Sequence, residues 1–285
     1  DACLTNDENE ISRLKKQHLE LFGLALISRR LGAKQDHRIV DWLCDPSRAS
    51  LITSLAARET DAFSQYGMAL AWLAESGRRA EVLSLVKRLP VFAARDPSEW
   101  SLPKFLDTYY VLNILGLGAK LDVSHCINEV FEVSNNICFL SDKNLYFLTH
   151  ILFFKFGFGE VDSDVKTNFE NDILFDKMTM SCLARNNLDG AMEIVIAQAV
   201  SGSELTRLSK AVIFIMFAKL MKYGSLDIFF GGEPHKDRKA QFHPMIVCGI
   251  LLAIIQVRGG SWDADFDSVD HKALEACAAL GGVAR

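Results

Sequence analysis

Proline is scarce in this chain, with six in 285 residues, and long segments show no alternation of apolar and polar residues. Both absences speak against a sheet-built fold. Long apolar runs are missing too: the cleanest, Met245–Ile255, is too short to span a bilayer, and Leu145–Phe158 is interrupted by His150 and Lys155. No transmembrane helix and no membrane partner are expected. The chain opens at Asp1 without a basic stretch followed by an apolar one, so no secretory signal is read there and the start looks processed or trimmed. There is no excess of basic charge. The formal net charge is −5, neither half of the chain is basic, and clusters such as Arg78-Arg79 and Lys236–Lys239 read as solvated turns, which argues against nucleic acid. Seven cysteines are scattered with no Cys-x-x-Cys pair. Reduced thiols in a cytoplasmic protein are therefore expected. Gly-x-Ser-x-Gly, a phosphate-binding glycine loop and a dinucleotide fingerprint are all missing, so the common hydrolase and nucleotide-binding classes recede.

What is present is apolar content at 49%, recurring at helical spacing and punctuated by short polar or glycine-containing turns. The pattern predicts a helix from about Ile11 to Arg30, stopped at Gly32. Further helices are expected near 37–44, 47–58, 61–76, 78–89, 102–116, 123–139, 142–156, 163–186, 188–200, 203–223, 244–257 and 268–280. Short connections make neighbours antiparallel. The expected fold is all-α, an irregular stack of α/α hairpins that is solenoid-like or toroid-like. No repeat period of a tetratricopeptide or ankyrin array is found. A single domain over 1–285 is expected, with Leu115–Lys120 as a joint between 1–118 and 119–285. The one long turn-rich insertion is Phe230–Lys239.

Two histidines stand in apolar helical sequence. His150 lies in a segment apolar on every side, which predicts a buried central helix, and its ring nitrogens then need partners or face a cavity. A core histidine bonded to a carbonyl is the structural alternative. His243 precedes Pro244, and proline suits the first helical position, so His243 is expected near the N-cap of the Met245–Ile255 helix with its imidazole kept neutral by the helix dipole. No two histidines share the i, i+3 or i, i+4 spacing of ligands on one helix face, and no metal or other cofactor is expected. Asp172 and Asp176 do share one face at i, i+4, a spacing that resembles the aspartate-rich motif of class I terpene synthases. The second motif of those enzymes is missing. Asn187-Leu-Asp-Gly-Ala-Met-Glu193 imitates it poorly and too soon, so an exposed acidic face is expected.

The order of motifs in the second half carries a resemblance. Tyr146-Phe-Leu-Thr-His150 with an aromatic tail to Gly157, then Asn187-Leu-Asp189 opening an apolar helix, then Phe242-His243 opening another, resembles a family of bacterial helical proteins of unassigned function. Those proteins carry Leu-Thr-His with a Thr-Asp-Phe-Gly-like stretch, and later Tyr-His-Thr. The resemblance spans roughly residues 140–257. It implies an all-helical α/α fold, a bacterial source and a setting among specialised-metabolite genes. Phe154-Lys-Phe-Gly157 and Pro244-Met245 depart from the family pattern. If the replaced Asp and Thr take part in chemistry, the substrate is altered or activity lost.

Two functions follow as expectations. The first is a binding or scaffold protein whose groove takes a peptide, a protein partner or an apolar small molecule. The second is a metabolite- or peptide-tailoring enzyme in which His150 and His243 converge, one as acid or base and the other orienting or polarising substrate. Tyr146, Thr149, Phe154 and Phe242 are the expected ligand-binding neighbours. The protein is expected to be a monomer or homodimer.

Overall fold

The structure is a computed structural model that describes residues 8–58, 63–89, 102–118, 141–159, 172–226 and 238–258. The described residues are all-α, with no strand among them. The helices expected at 123–139 and 268–280, and most of the 230–239 loop, lie outside these residues. No described helix is long and apolar enough to cross a membrane. The chain divides into two compact units, Asp1–Leu121 and Asp122–Arg285.

In the first unit, α1 (Glu8–Arg30) ends before Gly32, whose φ of 77° is one that glycine adopts without a steric penalty. Asp36 caps α2 (His37–Leu43) by accepting from the backbone N–H of Arg38. Proline begins α3 (Pro46–Arg58), where its missing N–H costs nothing. The centre is α4 (Phe63–Leu73), which packs against α1, α3, α5 (Arg79–Val86) and α6 (Leu102–Leu115). Tyr66, Leu70 and Trp72 on α4 are fully buried. Gly67 is what lets α6 come close: a Cβ there would meet a Val111 methyl at 3.0 Å. The helix expected over 61–76 closes at Leu73, because a π-helical turn (Ala74–Arg78) follows and Gly77 takes a φ of 97°. Arg78 and Arg79, expected in a solvated turn, have structural work. Arg78 pairs with Glu81, and Arg79 Nη2 donates to the Leu115 carbonyl at 2.8 Å, satisfying the C-terminal end of α6.

The second unit contains α7 (Asp142–Lys155), α8 (Asp172–Ala184), α9 (Leu188–Val200), α10 (Arg207–Tyr223) and α11 (Arg238–Arg258). Its centre is α9, which packs against all four of the others. Every residue from Ala191 to Val200 is buried. This corrects the expectation for the His150 helix: α7 flanks the centre, with Leu148, Ile151 and Leu152 turned inward and Tyr146 49% exposed. The sequence from 188 to 200 is apolar apart from Asp189, Glu193 and Gln198 and, unlike α7, has no charged residue after Glu193, so it is the segment that loses least on full burial. A second correction concerns α11, which starts at Arg238, so that Pro244 lies inside it. Pro244 is the seventh residue of this helix, beyond the first turn, so it forfeits the bond to the Ala240 carbonyl and crowds that turn, a cost set against the packing of α11 on α9. His243 is therefore a residue of the helix body, and the N-cap reading of it, with its dipole argument, falls.

Candidate functional site

The local sequence explains how α7 and α9 are set. Ser141 caps α7, its side chain accepting from Asn144 N–H, and Asn187 caps α9 by accepting from Gly190 N–H at 2.9 Å. Position 190 must be small, since a Cβ there would lie 3.0 Å from the Asn187 amide nitrogen and 3.1 Å from the Cys182 sulfur. With its start fixed in this way, α9 presents Asp189 in its first turn and Glu193 one turn later on the same face. Glu193 is only 3% exposed, a carboxylate inside the central helix of the unit. Burying it unpaired would be costly.

Its partners come from two other helices. From α7, the Thr149 hydroxyl donates to Glu193 Oε2 at 2.8 Å, and His150 Nδ1 stands 3.9 Å from the same oxygen. From α11, His243 Nε2 lies 3.7 Å from Glu193 Oε1 and 3.5 Å from Asp189 Oδ2. One carboxylate thus spans the two histidines singled out in the sequence. His150 Nδ1 also sits 2.9 Å from the Tyr146 carbonyl. A carbonyl only accepts, so Nδ1 carries the proton, and in the neutral ring Nε2 is left as the basic atom. Burial holds the His150 imidazole below its ordinary range and the nearby His243 acts the same way, while Glu193 and the Tyr146 carbonyl pull in the opposite direction.

These groups border a cleft of about 200 Å³ lined by Asp142, Tyr146, Thr149, Asn187, Asp189 and Glu193, together with Leu145 and Gly190. Tyr146 covers one side and its ring packs on His150 at 3.7 Å between centroids. Of the residues expected at the site, Tyr146 and Thr149 line the cleft, and His150 and His243 reach the carboxylates that line it. Phe154 lies 6.3 Å from the His150 ring and edge-on to Phe158. Neither Phe154 nor Phe242 is among the lining residues. Asp189 and Glu193 are not among the site residues expected from sequence, where they match only a poor imitation of a terpene-synthase motif. Their signal was the i, i+4 carboxylate pair at the start of an apolar helix. With His243 they form a group whose donor atoms all lie within 4.8 Å of one another, a spacing able to hold a metal ion.

Gln198, the other fully buried polar residue of α9, shows the contrast. Its amide donates to the Glu204 carbonyl and accepts from the Ser209 hydroxyl, so both ends are satisfied by fixed structural partners away from the cleft.

Residues 3–226 match the model of a family described as a domain of unknown function (DUF6895), and the chain belongs to that family. Thr149, His150, Asp189 and Glu193 fall within the match, and His243 follows it. No curated protein matches the chain. No solved structure matches it.

Proposed function

We propose that this member of the DUF6895 family is a metabolite- or peptide-tailoring enzyme whose site is the polar cleft between α7 and α9. The observation that carries this reading is the placement of His150 and His243 on either oxygen of a buried carboxylate beside that cleft. A purely structural histidine needs one partner. Two imidazoles sharing a carboxylate next to an opening form an arrangement suited to moving a proton. His150, with Nδ1 tied to the Tyr146 carbonyl, acts as the acid or base through Nε2. His243, its Nε2 facing Glu193 and Asp189, helps to orient the substrate through those two carboxylates. Asp142, Asn187 and Asp189 on the cleft wall favour a substrate with hydrogen-bond donors or positive charge. A bacterial cytoplasmic setting in specialised metabolism belongs to this proposal, supported by the motif resemblance and by the free thiols of Cys44, Cys182 and Cys248.

The binding-protein reading has one observation of its own. Phe217 and Met221 are exposed one turn apart on α10, Met221 at 87%, an apolar face of the kind that receives a peptide or apolar partner. A saturation-transfer NMR screen separates the readings, using a mixture of amines, amino acids, short polar peptides and apolar compounds. The enzyme reading expects polar members to bind, and expects His150→Asn and His243→Asn each to weaken that binding at least tenfold with the melting temperature nearly unchanged. If only apolar members bind, with affinities indifferent to both substitutions, the enzyme reading is wrong and the α10 face is the functional surface.

A further inference from the structure

We infer that Asp189, Glu193 and His243 bind a divalent transition-metal ion, which deepens the reading of the cleft as a catalytic site. Two carboxylates and one imidazole, contributed by two helices, are a donor set for Zn²⁺, Mn²⁺ or Fe²⁺, and the nitrogen ligand sets the site apart from the all-oxygen sets of Ca²⁺ and Mg²⁺. Ligands about 2.1 Å from one ion lie roughly 3–3.5 Å from each other. The separations of His243 Nε2 from Asp189 Oδ2 and Glu193 Oε1, 3.5 and 3.7 Å, need to contract by only a few tenths of an ångström to reach that range.

Three further features fit a metal. The Glu193 carboxylate is buried, and its second oxygen is held by the Thr149 hydroxyl at 2.8 Å, an outer partner of the kind that orients a metal ligand. Asp189 and Glu193 also line the cleft, so an ion on them would face it and keep positions open for water or substrate, as catalytic sites do with three protein ligands. Finally, two carboxylates converging within 4.8 Å repel each other, and a divalent cation cancels that repulsion. Spacing alone points to the i, i+4 pair on α9 but not to the third member, a single histidine some fifty residues later that only the packing of α11 brings to the pair.

The test is isothermal titration of the full chain, stripped with chelator, with Zn²⁺ and with Mn²⁺. One ion per chain is expected. Asp189→Asn and His243→Ala should each weaken the affinity at least 100-fold, Thr149→Val about tenfold, and His37→Ala in the first unit not at all. Co²⁺ loading of the unaltered protein provides a reading that needs no variant to fold, since a site with nitrogen and oxygen ligands in a four- or five-coordinate arrangement gives an intense visible absorption. Absence of stoichiometric binding overturns the inference, as does affinity unchanged in Asp189→Asn and His243→Ala, or a Co²⁺ spectrum no different from the aqueous ion. If metal does not bind but the polar ligands do, the metal alone is refuted and the enzyme reading stands. If metal binds and no polar ligand does, the metal site stands and the enzyme reading falls.

Discussion

Between pH 4 and pH 8 the fold is expected to lose about 2–4 kcal/mol through Asp107 alone. One carboxyl oxygen of this residue, on α6, is fully covered and has no hydrogen-bond partner among the described residues. Burial pushes its pKa up to about 7, from an ordinary value of 3.8. The direction of the effect follows from where the proton resides. Well below pH 4 the group is protonated in both folded and unfolded chains and has no effect. As the pH rises toward 7 the unfolded chain gives up the proton while the folded chain keeps it, so unfolding becomes progressively easier. Above pH 7 the folded chain carries a buried charge and the loss is complete. Other carboxylates act oppositely at low pH, Asp36 and Asp45 among them, because hydrogen bonds to Arg38 and to the start of α3 lower their pKa values. The decisive quantity is therefore the difference between the wild-type and Asp107→Asn profiles in urea unfolding. Asp107→Asn should gain on the wild type steadily from pH 4 to pH 7 and hold a constant lead above it. Parallel profiles would show that Asp107 is well hydrated.

Replacing Glu193 should have the largest effect on function. Glu193→Ala removes at once one of the two acceptors in reach of the Thr149 hydroxyl, the other being the Tyr146 carbonyl, and the anion facing His150 and His243. The fold is expected to lose about 1–3 kcal/mol from the polar groups left behind, and binding of polar ligands and of metal should vanish. Glu193→Gln separates the two effects: an amide oxygen still accepts from Thr149, so stability should recover to within about 1 kcal/mol, whereas the anion is not restored and binding stays lost. Gln198→Ala is the matched control on the same helix. It strips partners from Ser209 and Glu204 and should destabilise by a similar amount while leaving ligand affinity intact. Calorimetric melting and binding titrations on the three variants would check this. Retained binding in Glu193→Gln would remove Glu193 from the chemistry.

Much of the fold is readable from local rules, and the departures have specific causes. The ends of α2, α7 and α9 agree with the expected spans to within a residue, because Asp36, Ser141 and Asn187 are strong caps. The start of α11 differs from expectation because proline's commonest place is the first helical position, whereas here the packing of α11 against α9 outweighs the loss of one hydrogen bond inside a helix. The central helix of the second unit is also not the expected one. His150 and its aromatic neighbours made the 142–155 segment look fully buried, but Asp142, Asn144 and Tyr146 give it an exposed face, whereas 188–200 has none of comparable size. At the candidate site, the two histidines stood out because a polar ring in apolar sequence needs an explanation. The carboxylates did not, since an i, i+4 acidic pair is ordinary on a helix surface. Only the tertiary packing of α9 shows that this pair is turned inward and meets His243.

The proposed chemistry lies where α7, α9 and α11 meet at Glu193. Its most direct test is a crystal structure of the protein with the tightest ligand from the NMR screen. The ligand is expected in the cleft, within hydrogen-bond distance of Glu193 or Asp189 and covered by Tyr146. A ligand seated instead along Phe217 and Met221 on α10, with the cleft untouched, would contradict it.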